Sequence, residues 1–327
     1  MDRRRFLTLA GGGLGAVATG KAVDNVLLGY GPLGTNLLDQ ELKPLLRDGL
    51  FEGLHRFEYG GVKIEHWDGL VRLTAGEDEG DTVVTLPLDA SDAEIREADA
   101  RFGFDGRLRQ GFTDLRALHR GEFSLVPSKS EAFFDSVEAD ALPLSTGFLR
   151  GRGTADPAFV SEFADADAAD TRALAWGLAE GFREYSSYDI PRYLAGSVED
   201  NVLFGAVDLR EYFESPTSFE ALVSGENSGL FCTELTVRSI QAFQAVAPAK
   251  QVAPVAACYV YDERHKHVYT GLVSLQRVDG GLRMPVTFVD YTHTTLYDDL
   301  NLTGVMGEGL EGYNARHMAT RVLWDVH

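Results

Sequence analysis

The sequence predicts an α+β fold: a helix packed on an antiparallel sheet in the C-terminal half, preceded by a β-rich region. Three observations carry that expectation. A helical run over 233–243 is followed at once by three strand-like runs, ending at Tyr261, Leu275 and Val289, with short turns between them. Residues 54–87 alternate apolar and polar side chains between turn-forming residues, the period-two pattern of half-buried strands. With 327 residues, 44% of them hydrophobic, the chain can build a substantial core as one large domain or two small ones.

Taken in order, 37–51 reads as an amphipathic helix. Two hairpins are expected next, one over 54–67 turning at Gly60-Gly61 and one over 69–87 turning across Glu77-Asp78-Glu79-Gly80. Ser91-Asp92 caps a helix running towards Phe102. The stretch 123–170 is dense in Asp, Ser, Gly and Pro and reads as loop, which places a boundary near residue 150. A β-rich accessory region is therefore expected over 23–150 and a second domain over 151–327. That domain opens with a strong helix over 171–185, with Leu174, Leu178 and Phe182 on one face.

Chemistry concentrates where these C-terminal elements begin and end. Cys232 stands between a glycine-rich turn, 224–229, and the start of its helix; His267 opens a strand; Asp290 ends the next. A helix N-terminus stabilises a thiolate. An imidazole in reach takes the thiol proton and later returns it to a leaving group. A carboxylate on the far ring nitrogen fixes the tautomer and holds the ring. The backbone N–H groups at the helix start, that of Cys232 included, are suited to a developing oxyanion. Cys232, His267 and Asp290 are thus the candidate nucleophile, base and orienting group.

Over 215–292 these motifs resemble the transglutaminase-like superfamily of papain-like cysteine enzymes. Phe219-Glu220-Ala221-Leu222, the Gly-rich turn and Cys232 with its helix are similar to that family's nucleophile region. Ala247-Pro248-Ala249-Lys250-Gln251-Val252 resembles its helix-to-strand connection, with Lys250 where an arginine is usual. His267-Val268-Tyr269 and Val289-Asp290-Tyr291-Thr292 match the strand start and strand end that carry the histidine and the aspartate. Tyr269 replaces a commoner tryptophan, Gly271 a common acidic residue and Tyr291 a frequent proline. The resemblance implies a papain-like core and acyl transfer through a thioester, with a peptide or protein as substrate and no cofactor. Hydrolysis of peptide or amide bonds is the expected outcome, and protein crosslinking the alternative.

Other readings compete. Cys258 lies mid-strand in an apolar run, where packing is the default role of a cysteine. A Cys232–Cys258 disulfide would abolish the nucleophile. His265 rivals His267 as base, although it sits in a charged turn, and the His265/His267 pair has no further ligand at metal-site spacing. The segment 229–234 also partly resembles the nucleophile motif of arylamine N-acetyltransferases. A non-catalytic cell-surface binding or assembly protein on the same fold is the rival of a different class.

The N-terminus reads as an export signal. Arg3-Arg4-Arg5-Phe6-Leu7 leads into a weakly apolar, Gly-rich stretch with an A-x-A-like site, and 1–22 resembles a twin-arginine signal. That stretch is too short for a spanning helix. The expected location is extracellular or at the cell surface, where the sequon Asn301-Leu302-Thr303 is reachable. The formal charge of -20, with 50 acidic against 30 basic residues, points to a salt-adapted protein, because a molar electrolyte screens such self-repulsion. The same charge disfavours nucleic acid and anionic membranes as partners.

Overall fold

The computed structural model describes residues 37, 40–76, 82–189, 217–226, 229–263, 267–292 and 318–326. Two sheets organise them. The first is an antiparallel meander of β1 (His55–Tyr59), β2 (Val62–Trp67), β3 (Leu70–Ala75) and β4 (Thr82–Pro87). Gly60 and Gly61, at φ of +60° and +78°, supply the left-handed backbone that a two-residue hairpin turn demands. The expected turn across 77–80 lies outside the described residues. Phe57, Ile64, Val71 and Leu73 form the buried face and pack on α2 (Asp92–Phe102) and α3 (Arg107–Arg120), which follow α1 (Lys43–Leu50) in the chain. The α2 start is a reciprocal capping box: the Glu94 N–H donates to Ser91 Oγ, and Glu94 Oε2 accepts from the Ser91 N–H at 2.8 Å.

The second sheet places the candidate site. Its order is β10 (Gln276–Val278), β11 (Gly281–Val289), β9 (His267–Val273), β8 (Ala256–Asp262), β12 (Arg321–Leu323), and β5 (Phe123–Pro127) pairs parallel to β11. Every other pairing in it is antiparallel. One face carries α4 (Ser130–Asp140), α6 (Pro157–Ala164), α7 (Thr171–Tyr185), α8 (Phe219–Val223) and α9 (Cys232–Phe243), whose apolar side chains share a cluster with Ala257, Val268, Leu272 and Val289. The other face carries α1 and Trp324 against Cys258, Val260, Val273 and Val286. Each fully buried large apolar side chain on these faces contributes about 1.5–3 kcal/mol of transfer free energy. The chain therefore has a mixed α+β fold with a mainly antiparallel core sheet, the fold class the sequence predicts.

Two expectations need correction. The stretch 123–170 is not loop: it holds β5, α4, α5 (Pro143–Gly147) and α6. Two of its three prolines start helices, because Pro143 and Pro157 occupy first-turn positions whose N–H has no helical partner in any case, and Pro127 ends β5. Asp156 and Asp170 are caps, accepting from Ala158 N–H at 2.8 Å and Ala173 N–H at 3.0 Å. Nor does residue 150 divide the core. Leu46, Leu50, Leu118 and Phe123 share one apolar cluster with Val260, Val273 and Trp324, and β5 crosses into the C-terminal sheet. At the supposed boundary Arg150 is buried, donating from Nη1 to Val246 O at 2.8 Å and from Nη2 to Phe243 O at 3.3 Å. A cation there offsets the negative end of α9. Among the described residues no helix is long and apolar enough to cross a membrane.

Candidate active site

Cys232 is the first residue of α9 because the chain before it is held straight. Gly229–Leu230 (β7) pairs parallel with Ser187–Tyr188 (β6), and the Asp189 N–H donates to Leu230 O at 2.7 Å. Phe231 is extended, at φ -119° and ψ 167°, and its carbonyl accepts the first helical bond from Leu235 at 3.0 Å. The Glu234 carboxylate accepts from the Phe231 N–H at 3.1 Å. Phenylalanine offers no acceptor in return, so the Phe231 side chain itself caps none of the first-turn N–H groups.

A polar seam fixes the rotation of α9 on the sheet. Thr236 Oγ1 donates to the Cys232 carbonyl at 2.8 Å, Ser239 Oγ donates to Thr236 O at 2.8 Å, and Ser239 also bonds Thr270 of β9. All three hydroxyl side chains are buried, and each has a partner, as burial requires. The apolar flank of the same helix, Leu235, Ile240 and Phe243, fills the core beside them.

His267 opens β9, and its Nε2 donates to Asp290 Oδ2 at 2.8 Å. Asp290 directly follows β11, and its Oδ1 accepts from the Thr292 N–H at 3.0 Å. Cys232 lies near enough to the imidazole to act with Asp290 in raising its pKa. With Nε2 committed to the carboxylate, Nδ1 is the ring nitrogen left for the sulfur. The three residues named from the sequence are therefore brought together, and all are buried: Cys232 is 3% exposed, His267 7% and Asp290 3%. Burial pulls the His267 pKa down, but the charge and hydrogen bond of Asp290, and then Cys232, raise it overall to about 10. The ring thus carries its proton at neutral pH and sets a positive charge beside the sulfur.

Aromatic groups hold this arrangement. The Tyr269 ring stacks on His267 with centroids 6.2 Å apart, and its hydroxyl donates to Met318 O at 2.8 Å. Tyr291 donates to Ala175 O at 3.0 Å and packs on Phe182, tying the strand end that carries Asp290 to α7. Gly271 also has a steric reason. Its register partner is Cys258, and a Cβ there would lie 2.7 Å from the Cys258 sulfur. Cys258 faces the α1 side of the sheet, away from α9, and burial pushes its thiol pKa up. Both cysteines are free, so the disulfide alternative is not formed. His265 lies outside the described residues, and among those described no three metal-ligating side chains converge.

Sequence reasoning missed three contributors. Tyr259 of β8 packs against the same apolar cluster as the helix start, and burial raises the pKa of its phenol, which stays neutral. The Thr236–Ser239–Thr270 seam was legible only as small polar residues on a helix and a strand. The β6–β7 pair that aims Cys232 joins segments about 40 positions apart, which no local pattern reveals. Comparison with protein-family models, curated proteins and solved structures gives no match.

Proposed function

We propose that this chain is a cysteine hydrolase of peptide or amide bonds, acting through a thioester on Cys232. The observation that carries the reading is one buried imidazole hydrogen-bonded to a carboxylate, its pKa raised by that carboxylate and by a cysteine at a helix start. The Cys232 sulfur attacks the amide carbonyl, and the first-turn N–H groups of α9 receive the oxyanion. His267 gives its proton to the departing amine as the C–N bond breaks, leaving the acyl group on sulfur. Water then attacks the thioester, His267 takes the proton of that water, and the acid is released as sulfur leaves. Asp290 holds the ring throughout and exchanges no proton with substrate.

The likeness of 215–292 to the transglutaminase-like superfamily supports the papain-like reading of the core. The N-terminal pattern supports export by the twin-arginine route, and the acidic composition supports adaptation to salt. Residues 1–22 lie outside the described ones. Replacing Arg4 and Arg5 by lysine should retain the protein in the cell, and a urea midpoint that does not rise in molar salt would count against salt adaptation.

One observation favours a second reading. The near-complete burial of all three side chains suits a non-catalytic binding or assembly protein that keeps the fold. Peptide libraries in high salt, with and without a primary amine, decide among the readings. Cys232→Ala should abolish turnover, His267→Ala should lose nearly as much, and Asp290→Ala should leave a weak residue of activity. Amine incorporation exceeding cleavage would make the chain a crosslinking acyltransferase. Parent protein and Cys232→Ala behaving alike towards every acyl donor would leave the binding protein as the better account.

A further inference from the structure

Two histidines stand where the meander meets the C-terminal core. His55 of β1 and His66 of β2 are register partners on the buried face, 0% and 1% exposed, with ring centroids 5.5 Å apart. His55 Nε2 donates to Leu50 O at 2.7 Å, at the end of α1. The His66 ring lies edge to face with Phe51 at 6.3 Å and with Phe148 at 6.2 Å. Leu50 belongs to the apolar cluster of the C-terminal sheet, whereas Phe148 belongs to the separate cluster beneath the meander. The pair therefore sits on the seam between two cores.

His66 is the more unusual of the two. Both of its ring nitrogens are buried without a hydrogen-bond partner. A neutral imidazole carries one donor and one acceptor, so both go unmet while the seam is closed, and water meets both once it opens. A charged ring would have two unmet donors and a buried charge. The titratable groups acting on His66 are His55 and His119 of α3, whose ring packs on Phe51 at 4.5 Å. Both are bases and disfavour a proton on it. From β3 the register partner is the apolar Val71, and Glu65, on the opposite face of β2, pairs with Arg56 and Lys63. Arg150 directs its guanidinium to the carbonyls at the end of α9. Asp325 is the acid that acts on His55, and Arg152 and the Leu54 N–H engage it. Those contacts hold its carboxyl below the usual carboxylate range, so it stays charged in mild acid.

We infer that the His55–His66 pair is an acid-operated latch: proton uptake parts the β1–β2 hairpin from α1 and from residues 148–150 while the C-terminal sheet stays folded. The polar contacts given up include the Leu50 bond of His55, Arg56 N–H to Arg150 O at 3.0 Å and Leu54 N–H to Asp325 Oδ2 at 3.3 Å. The closed His66 titrates at about 3 and the opened one at the ordinary 6.5. At pH 5 a proton taken up only on opening favours the open state about thirtyfold, and His55, lowered in the same direction, adds to it. The latch strands belong to the other sheet from the one that carries His267, and the inference does not depend on the acyl-transfer reading.

Hydrogen exchange of the full chain, read by mass spectrometry at pH 7.5 and pH 5.0 at constant ionic strength and corrected for intrinsic rates, tests this. Protection of the β1 and β2 amides should fall about thirtyfold or more at pH 5.0, and that of β8, β9 and β11 less than about threefold. His66→Phe should cancel most of the loss, whereas His119→Gln, at an exposed position, should leave most of it in place. An equal loss in both sheets would be ordinary acid unfolding and would overturn the latch. Constant protection, or a His66→Phe protein that responds like its parent, would overturn it too. Should His66→Phe fail to fold, His55→Gln, which keeps a donor for Leu50 O, decides: it should shrink the loss, and an unchanged loss counts against the latch.

Discussion

Replacing Asp290 by asparagine keeps the shape of the candidate site and removes its charge. The His267 pKa, normally 6.5, stands at about 10, held there by Asp290 and Cys232 against the opposing effect of burial. At about 1.4 kcal/mol per pH unit, that rise corresponds to at most about 5 kcal/mol of folding stability. Because the folded pKa exceeds the unfolded one, this contribution is complete below pH 6.5 and is lost as pH rises towards 10. Asp290→Asn leaves burial as the dominant influence, so the His267 pKa should fall below 6.5 and the slope should change sign. The variant should be about 3–5 kcal/mol less stable at pH 7, the usual consequence of breaking a buried ion pair. Urea unfolding at pH 7 and pH 9.5, with a ¹³C-edited NMR titration of the histidine Cε1–H, reads both effects. A parent His267 that titrates near 6.5, or a loss under about 1 kcal/mol at pH 7, would refute the reasoning.

Two other perturbations follow from named contacts. Gly271→Ala forces a Cβ against the Cys258 sulfur, and overpacking of this kind costs about 1–3 kcal/mol. The cost should shrink in a Cys258→Ala background, and an equal cost in both backgrounds would contradict the packing described here. His66, buried against Phe51 and Phe148, has its pKa lowered from 6.5 to about 3 by burial and by His55 and His119. Here the unfolded chain takes the proton first, so stability falls as pH drops below 6.5, by about 3 kcal/mol at pH 4.5. His66→Phe should flatten that acid limb in thermal melts, and an unchanged acid midpoint would assign the loss elsewhere.

The residues by themselves determined the elements whose signals are local. Gly60-Gly61 between alternating runs made the first hairpin, Ser91 with Glu94 made a capped helix, and the apolar face of 171–185 made α7. The order of Cys232, His267 and Asp290 at element ends was legible for the same reason, since caps and strand ends are written in adjacent residues. Local signals failed where proline had two meanings: at Pro143 and Pro157 it begins helices, and only the packing of those helices distinguishes that from a loop. Everything joining distant segments was decided by the tertiary structure. Parallel pairing of β5 with β11, with Phe123 buried in the same apolar cluster as Leu46 and Val260, erases the expected boundary at 150. The closing of the three side chains on one another depends on the Ser239–Thr270 seam and on β6 beside β7. Apolar burial and satisfaction of buried polar groups act between surfaces, and which surfaces meet is a property of the whole chain rather than of any window within it.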